Sequence, residues 1–372
     1  MGIQGGLTGL RAACALAVGV VVAGVVGLPA VAGPLTYSVT PLGTLGGNFS
    51  YGSGINASGW VSGTSEVSPN VTRAVLFNGN GMMNLGTLGG SFSNGAAVNA
   101  SGWVTGTSEK ADGSRRPFLY DGSGMTDLGT LAGQDSSGEA INAAGWVAGT
   151  SPAPSPHAFL HNGSGMIDLG TLGGPTSEAR GINDNGWVTG NSSLADYSVR
   201  AFLYNGTTMI NLGSLGGRWS WGYGINANGW VTGDSFLAGN AERHAFLYDG
   251  TTMNDLGTLG GWYSSGLSIN ASGWVTGYSA MADGSQRAFL YAGGAMYDLN
   301  TLVAQTDPLY GAVTFSDATG INDSGQIVAN GGGRAYLLSP MVATPEPGSL
   351  AVVGAGLLGL MVARRRGGGA AR

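Results

Sequence analysis

Ile182-Asn183-Asp184-Asn185-Gly186-Trp187-Val188 reads as a β-hairpin in miniature. Asn favours the first position of a type I turn, where its side chain bonds the backbone two residues on. Gly at the last position takes positive φ and starts a G1 bulge. The flanking Ile and Trp-Val then run into paired strands. The same signature, with small variations, has its Asn at 56, 99, 142, 183, 226 and 270. A seventh copy, Ile321-Asn322-Asp323-Ser324-Gly325-Gln326-Ile327, lacks the Trp.

Two further landmarks keep step with it. Leu-Gly-Thr-Leu-Gly-Gly or a close variant begins at Leu42, Leu85, Leu128, Leu169, Leu212 and Leu256, with a degenerate copy at Leu299. A basic residue before Ala-Phe-Leu-Tyr stands at Arg73, Arg116, His157, Arg200, His244, Arg287 and Arg334. Successive copies are 41 to 44 residues apart, except for an insertion around Thr306 to Phe315. Self-similarity at this period marks a propeller, a solenoid or an array. A unit drawn from Met125 to Ala158 holds four strand-like runs, near Met125, Glu139, Gly145 and His157, and no sustained 3.6-residue period. Four short strands per unit is the size of a propeller blade. The expected fold is all-β: a seven-bladed β-propeller-like repeat domain with about 43 residues per blade, closed so that strand edges are protected. An open β-solenoid is the competing arrangement. Even repeats without a capping unit favour the ring.

His157-Ala158-Phe159 and His244-Ala245-Phe246 give the units a resemblance to the HAF repeat, over residues 36 to 338. Other copies read Arg-Ala-Phe or drift further, as in Arg116-Pro117-Phe118 and Arg334-Ala335-Tyr336. The resemblance implies an extracellular, repeat-built protein and carries no catalytic residues with it.

Composition narrows the function classes. Only 10% of residues are charged and the net charge is −6, so phosphate neutralisation, and with it nucleic-acid binding, is not expected. The 71 Gly residues follow no three-residue period and read as turns. The single Cys14 lies in the N-terminal apolar run, so a mature chain has no disulfide and no thiol chemistry.

Both ends read as address labels. Arg11, the apolar run Ala12 to Leu28 and the small-residue site at Ala30 and Ala32 form a secretory signal peptide over 1–32, a helix in its apolar part, cleaved after Ala32. The repeat domain is then 33–343, followed by a tail over 344–372. In that tail Pro345-Glu346-Pro347 precedes an apolar stretch, Ser349 to Ala363, and the cluster Arg364-Arg365-Arg366. Fifteen helical residues reach about 22 Å, short of a hydrocarbon core of roughly 30 Å, a gap that snorkelling or a thinner bilayer closes. The Arg cluster would stay cytoplasmic and the repeats outside. This arrangement resembles the PEP-CTERM sorting signal of Gram-negative bacteria. The resemblance implies a C-terminal transmembrane helix, an exosortase-type sorting enzyme as partner, an inner-membrane-anchored precursor, and a destination at the cell surface or in the extracellular biofilm matrix.

Candidate sites are weighed against structural roles. Trp60, Trp103, Trp146, Trp187, Trp230 and Trp274 share one repeat position and are read as blade-core packing. The basic residue before Ala-Phe is expected to pair with the Asp or Asn before Leu-Gly-Thr-Leu: Asn84, Asp127, Asp168, Asn211, Asp255 and Asp298. Single carboxylates so far apart do not make a Ca²⁺ cage, so no metal and no cofactor are expected. Aromatics outside the core pattern are Phe49, Tyr51, Phe92, Trp219, Trp221, Trp262 and Tyr263, all in or after the loop following Gly-Gly. On a ring they gather on one rim, where they either lid the blade cores and seal blade contacts, the favoured reading, or stack against sugar rings. No nucleophile elbow, phosphate loop or zinc motif occurs. The expected role is a non-catalytic surface or matrix protein contacting polysaccharide. The competing role is a propeller-type polysaccharide lyase or glycoside hydrolase, which requires an acid/base cluster in a central or rim pocket.

Overall fold

The computed structural model describes residues 35–341, apart from 134 and 153–154. The signal segment and the sorting tail therefore lie outside the described residues, including Ala30, Ala32, Pro345, Glu346, Pro347 and Arg364 to Arg366. Within them the regular structure is all β except for one 3-10 turn, Leu299–Leu302. No helix of the described residues is long and apolar enough to cross a membrane.

The strands succeed one another in antiparallel sets of four. One such set is Ser50–Ile55, Val61–Ser68, Val71–Phe77 and Met82–Asn84. Later sets begin with the inner strands Gly89–Val98, Ser137–Ile141, Ser177–Ile182, Gly216–Ile225 and Gly260–Ile269. Parallel bridges from Val199 to Trp219 and from Arg243 to Tyr263 join three neighbouring sets into one 12-stranded sheet. The final set takes three strands from the end of the domain, Asp317–Ile321, Ile327–Gly331 and Arg334–Pro340. Its fourth is the first strand of the domain, Tyr37–Pro41, with Tyr37 opposite Pro340.

The unit drawn from Met125 to Ala158 is out of phase with these sheets. Met125–Asp127 pairs with Arg115–Tyr120 of the preceding set, and Ser137–Ile141 opens the next. The cause lies in Leu-Gly-Thr-Leu-Gly-Gly. Its positive-φ glycines turn the chain from the outer strand of one sheet to the inner strand of the following one.

Packing between sheets makes the core. Val104 and Phe118 are fully buried and meet Ala74, Leu76 and Leu85 of the preceding set, with Trp60 packed against the cluster. Trp60 also rests on the hairpin glycine of the next unit: a Cβ on Gly102 would lie 2.4 Å from Trp60 Cζ3. Trp103 covers Gly145, Trp146 covers Gly186 and Trp187 covers Gly229 in the same way. The Trp and the Gly of the hairpin signature thus belong to a contact made across units.

The hairpin Asn reaches across as well. In each of the first six hairpins its Oδ1 accepts the N–H of the Trp four residues on, at 2.9 to 3.0 Å. Its Nδ2 donates to the backbone carbonyl of the next hairpin Asn. These bonds run from Asn56 to Asn99, then to Asn142, Asn183, Asn226, Asn270 and Asn322, and from Asn322 back to Asn56, at 2.9 to 3.3 Å. All these asparagines are at most 6% exposed. The circuit closes on itself, which an open solenoid has no means of doing.

The expected pairing of the basic residue with Asp or Asn holds at His157 with Asp168, 2.8 Å, and at His244 with Asp255, 2.9 Å. Arg73, Arg200 and Arg334 behave differently, donating instead to the carbonyls of Ser91, Arg218 and Gly47 in the loop of the following unit. A guanidinium on three methylenes overshoots the neighbouring strand that an imidazole just reaches. The acids keep a local duty: Asp168 and Asp255 accept the N–H of the Gly two residues on, closing Asx turns.

Candidate functional site: the channel mouth and loop face

The inner strands surround a channel. At one end lie the asparagine hairpins. At the other, the loop face, arrive the Gly-rich crossings and the hairpins between second and third strands. A collar of Ile55, Val98, Ile141, Ile182, Ile225, Ile269 and Ile321 lines the channel between. On the loop side of this collar is a cavity of about 300 Å³.

Every inner strand sends the same repeat position into that cavity. Its occupants are Ser53, Ala96, Glu139, Arg180, Tyr223, Leu267 and Thr319. Fold-determining positions are nearly constant from unit to unit, as the hairpin Asn, Gly and Trp are. This position is not, so packing does not dictate its chemistry. Its charged and phenolic members stand on three consecutive units.

Around them lies a polar network, half-buried at Glu139 and open to solvent at Arg180. Ser137 Oγ donates to Glu139 Oε1 at 2.7 Å, and Arg180 Nη2 bonds Glu178 Oε2 at 2.8 Å. Burial in the channel wall raises the Glu139 carboxyl above its ordinary range. Asp234 on the adjoining second strand is fully buried. Desolvation pushes its pKa up to about 6, against the opposing pull of Arg243 and a hydrogen bond from Ser265 Oγ. Among the described residues its Oδ1 has no hydrogen-bond partner. The equivalent position in the last set is Asn330, which bonds Gly52 and Asp317. Tyr51 donates to Asp317 Oδ1 at 3.0 Å, and burial raises its phenol.

The aromatics singled out in the sequence all fall on the loop face, at the starts of inner strands, but in different settings. Phe49 and Trp262 are exposed, at 38% and 58%. Trp262 stacks edge-on against Tyr263, whose hydroxyl donates to Gln286. Trp219 and Trp221 both pack on Phe236, with the Arg218 guanidinium 6.0 Å from the Trp219 ring. Tyr51 turns into the channel network, and Phe92 lies under Arg115 at 5.6 Å. Sequence reasoning missed Glu139, Arg180, Tyr223 and Asp234. The available signal was departure from the repeat: Glu139, Arg180 and Tyr223 at a position that otherwise holds Ser, Ala, Leu or Thr, and Asp234 at a second-strand position that otherwise holds Thr, Asn or Tyr. Among the described residues no three His, Cys, Asp or Glu side chains gather closely enough to hold a metal ion.

Solved structures resembling the chain are propellers of low sequence similarity. The β-propeller domain of the trilobed protease from Pyrococcus furiosus is 11% identical with a TM-score of 0.52, over 81% of this chain and 100% of that one. A puromycin-hydrolysing peptidase from Mycobacterium tuberculosis is 11% identical with a TM-score of 0.50, over 84% and 56%. TolB from Acinetobacter baumannii is 13% identical with a TM-score of 0.46, over 76% and 63%. The chain thus spans less than two thirds of TolB and of the peptidase. The likeness establishes a propeller-like, all-β fold and nothing about activity. No curated protein matches the sequence. Residues 343–366 match the PEP-CTERM protein-sorting motif, which marks the chain as an exported protein, anchored in the membrane as a precursor and handled by an exosortase-type enzyme.

Proposed function

We propose that this is a seven-bladed, HAF-repeat surface or matrix protein of a Gram-negative cell. In this reading it is sorted through its tail, is non-catalytic, and holds polysaccharide on its loop face. The closed asparagine circuit and the completion of the last sheet by Tyr37–Pro41 support the blade count. The apolar stretch Ser349 to Ala363 serves as the transmembrane helix of the precursor.

The observation that carries the binding role is the gathering of aromatics on one face, with Trp262 and Phe49 left open to solvent. Large aromatic surface at a polar rim is expensive to leave in water and matches the apolar faces of sugar rings. The test is retention on immobilised exopolysaccharide by the wild type and by Trp262→Ala/Phe49→Ala. A tenfold or greater loss is expected. Equal retention, or none by the wild type, overturns the reading. Trp219 and Trp221 are poorer targets because both are committed to Phe236.

The lyase or hydrolase reading rests on Glu139, whose raised carboxyl faces the channel. Release of reducing ends from the same polysaccharide, abolished by Glu139→Gln, would establish it. Their absence leaves the binding role.

A further inference from the structure

One place on the loop face departs from the repeat in a way that opens a pocket. The residue just before the repeat's serine at the start of each inner strand, buried in all units but the last, is aromatic in most units: Phe49, Phe92, Trp219, Tyr263 and Phe315. The equivalents in the two consecutive units between are Asp135 and Thr176. Where the ring is missing at Asp135 there is a cavity of about 410 Å³, within the size range of small-ligand sites.

The substitution also changes how neighbouring sheets join. Val199 and Arg243 meet Trp219 and Tyr263 through backbone bridges. The corresponding N–H, that of Arg115, is taken by the Asp135 carboxylate at 2.9 Å. The Arg115 guanidinium lies over the Phe92 ring, and no carboxylate among the described residues stands within ion-pair distance of it. Asn94, Thr107, Thr150 and Glu178 complete a wall of amide, hydroxyl and carboxylate groups.

We propose that this pocket seats one neutral pyranose residue of a polysaccharide. Phe92 supplies an apolar wall and Arg115 a donor. Asp135 and Glu178 supply acceptors for pairs of ring hydroxyls, and Asn94 and Thr150 serve as either. The charged lining residues are one base against two acids, which disfavours a uronate. Three apolar side chains, Phe92, Pro152 and Pro156, among eight polar ones match a sugar, whose ring has apolar faces and a rim of hydroxyls, better than a peptide side chain. The proposal deepens the polysaccharide reading at a place separate from the exposed rings of Trp262 and Phe49.

The test is calorimetric titration of the full repeat domain with neutral hexasaccharides of glucan, mannan and galactan, beside an alginate hexasaccharide as the uronate probe. The wild type is expected to bind at least one neutral probe and to bind alginate more weakly. Asp135→Phe restores the residue type most units carry and fills the cavity, so binding falls at least tenfold while the thermal midpoint stays near that of the wild type. Arg115→Ala, a change at an exposed side chain, keeps the fold independently of that outcome and weakens binding similarly. Loss of binding in Trp262→Ala with neither pocket variant affected would place the sugar on the exposed rings instead, which overturns this proposal and leaves the broader one standing. Binding of no neutral probe, stronger binding of alginate, or indifference to both pocket variants overturns it.

Discussion

Replacing Asn99 by Ala tests whether the asparagine circuit holds the sheets together or merely decorates their turns. Asn99 makes three side-chain hydrogen bonds. Its Nδ2 donates to Asn142 O at 3.1 Å, and its Oδ1 accepts from Ser101 N at 3.0 Å and Trp103 N at 2.9 Å. The three losses differ. The Asn142 carbonyl keeps a second donor, Gly145 N. Ser101 sits at the turn, where water reaches. The Trp103 N–H has no replacement, and a buried orphan of this kind costs about 1–3 kcal/mol. Two further bonds worth roughly 0.5–1 kcal/mol each bring the expected loss to about 3 kcal/mol, a large share of the ~5–15 kcal/mol that holds a domain folded. Asn205 is the control: its Oδ1 caps Thr207 N and Thr208 N in an exposed turn, so Asn205→Ala loses about 0.5 kcal/mol. Urea titration followed by tryptophan fluorescence gives both midpoints. Asn99→Asp adds a sign test, because it keeps both acceptor bonds but buries a carboxyl whose pKa is raised by desolvation. Its deficit must therefore be small at acid pH and grow as pH rises. If Asn99→Ala costs no more than Asn205→Ala, the circuit contributes nothing and the argument for it fails.

Three further outcomes follow from the same structure. Gly145→Ala combines a left-handed φ of 78° with a Cβ only 2.6 Å from the Trp103 ring, whereas Gly122→Ala has a φ of 97° and open space; the first is expected to lose about 3 kcal/mol and the second about 1 kcal/mol, and equal thermal shifts would refute the Trp–Gly contact. For Asp234, whose folded pKa of about 6 lies above the unfolded value of 3.8, the linkage works against the fold. The unfolded chain ionises first, so this group's term is neutral below pH 4 and falls between pH 4 and 6 by up to about 3 kcal/mol. Asp234→Asn should therefore exceed the wild type in stability at pH 7 and lose that advantage at pH 3.5, and a pH-independent difference would count against it. In an exosortase-bearing host, changing Pro345-Glu346-Pro347 to alanines should trap an unprocessed precursor in the membrane fraction, seen as a mass still containing the tail; unchanged processing would remove the motif's assigned role.

How far the sequence reached depends on how local each feature is. The hairpins, their positive-φ Gly and the all-β character come from contacts within a few residues, and Asn183 through Val188 declared them. The circuit was hidden because it runs through the Asn183 Nδ2, which meets Asn226 a full unit away, while the Oδ1 serves the turn and so already explained the residue. The sheet boundaries were hidden because a repeat has no natural starting point, so Met125–Asp127 was assigned to the wrong side of a crossing. The charged channel mouth was hidden for the opposite reason: Glu139, Arg180 and Tyr223 are ordinary surface residues until the inner strands are arranged around one axis.

The strand Tyr37–Pro41 has a consequence for a protein that leaves the cell N-terminus first. It clears the translocation pore before any other strand of the domain, yet its partner Arg334–Pro340 is the last to emerge, 301 residues later when measured from Ser38 to Ser339. Equilibrium hardly objects: closing so long a loop is only about 1.7 kcal/mol dearer than closing one 43-residue unit. Timing is the hazard. Throughout secretion an unfinished fan carries two raw sheet margins, each able to seize the margin of another chain. A chain halted before Arg334 stays in that condition, which makes the final seven-residue strand the one whose arrival turns a sticky precursor into an inert ring.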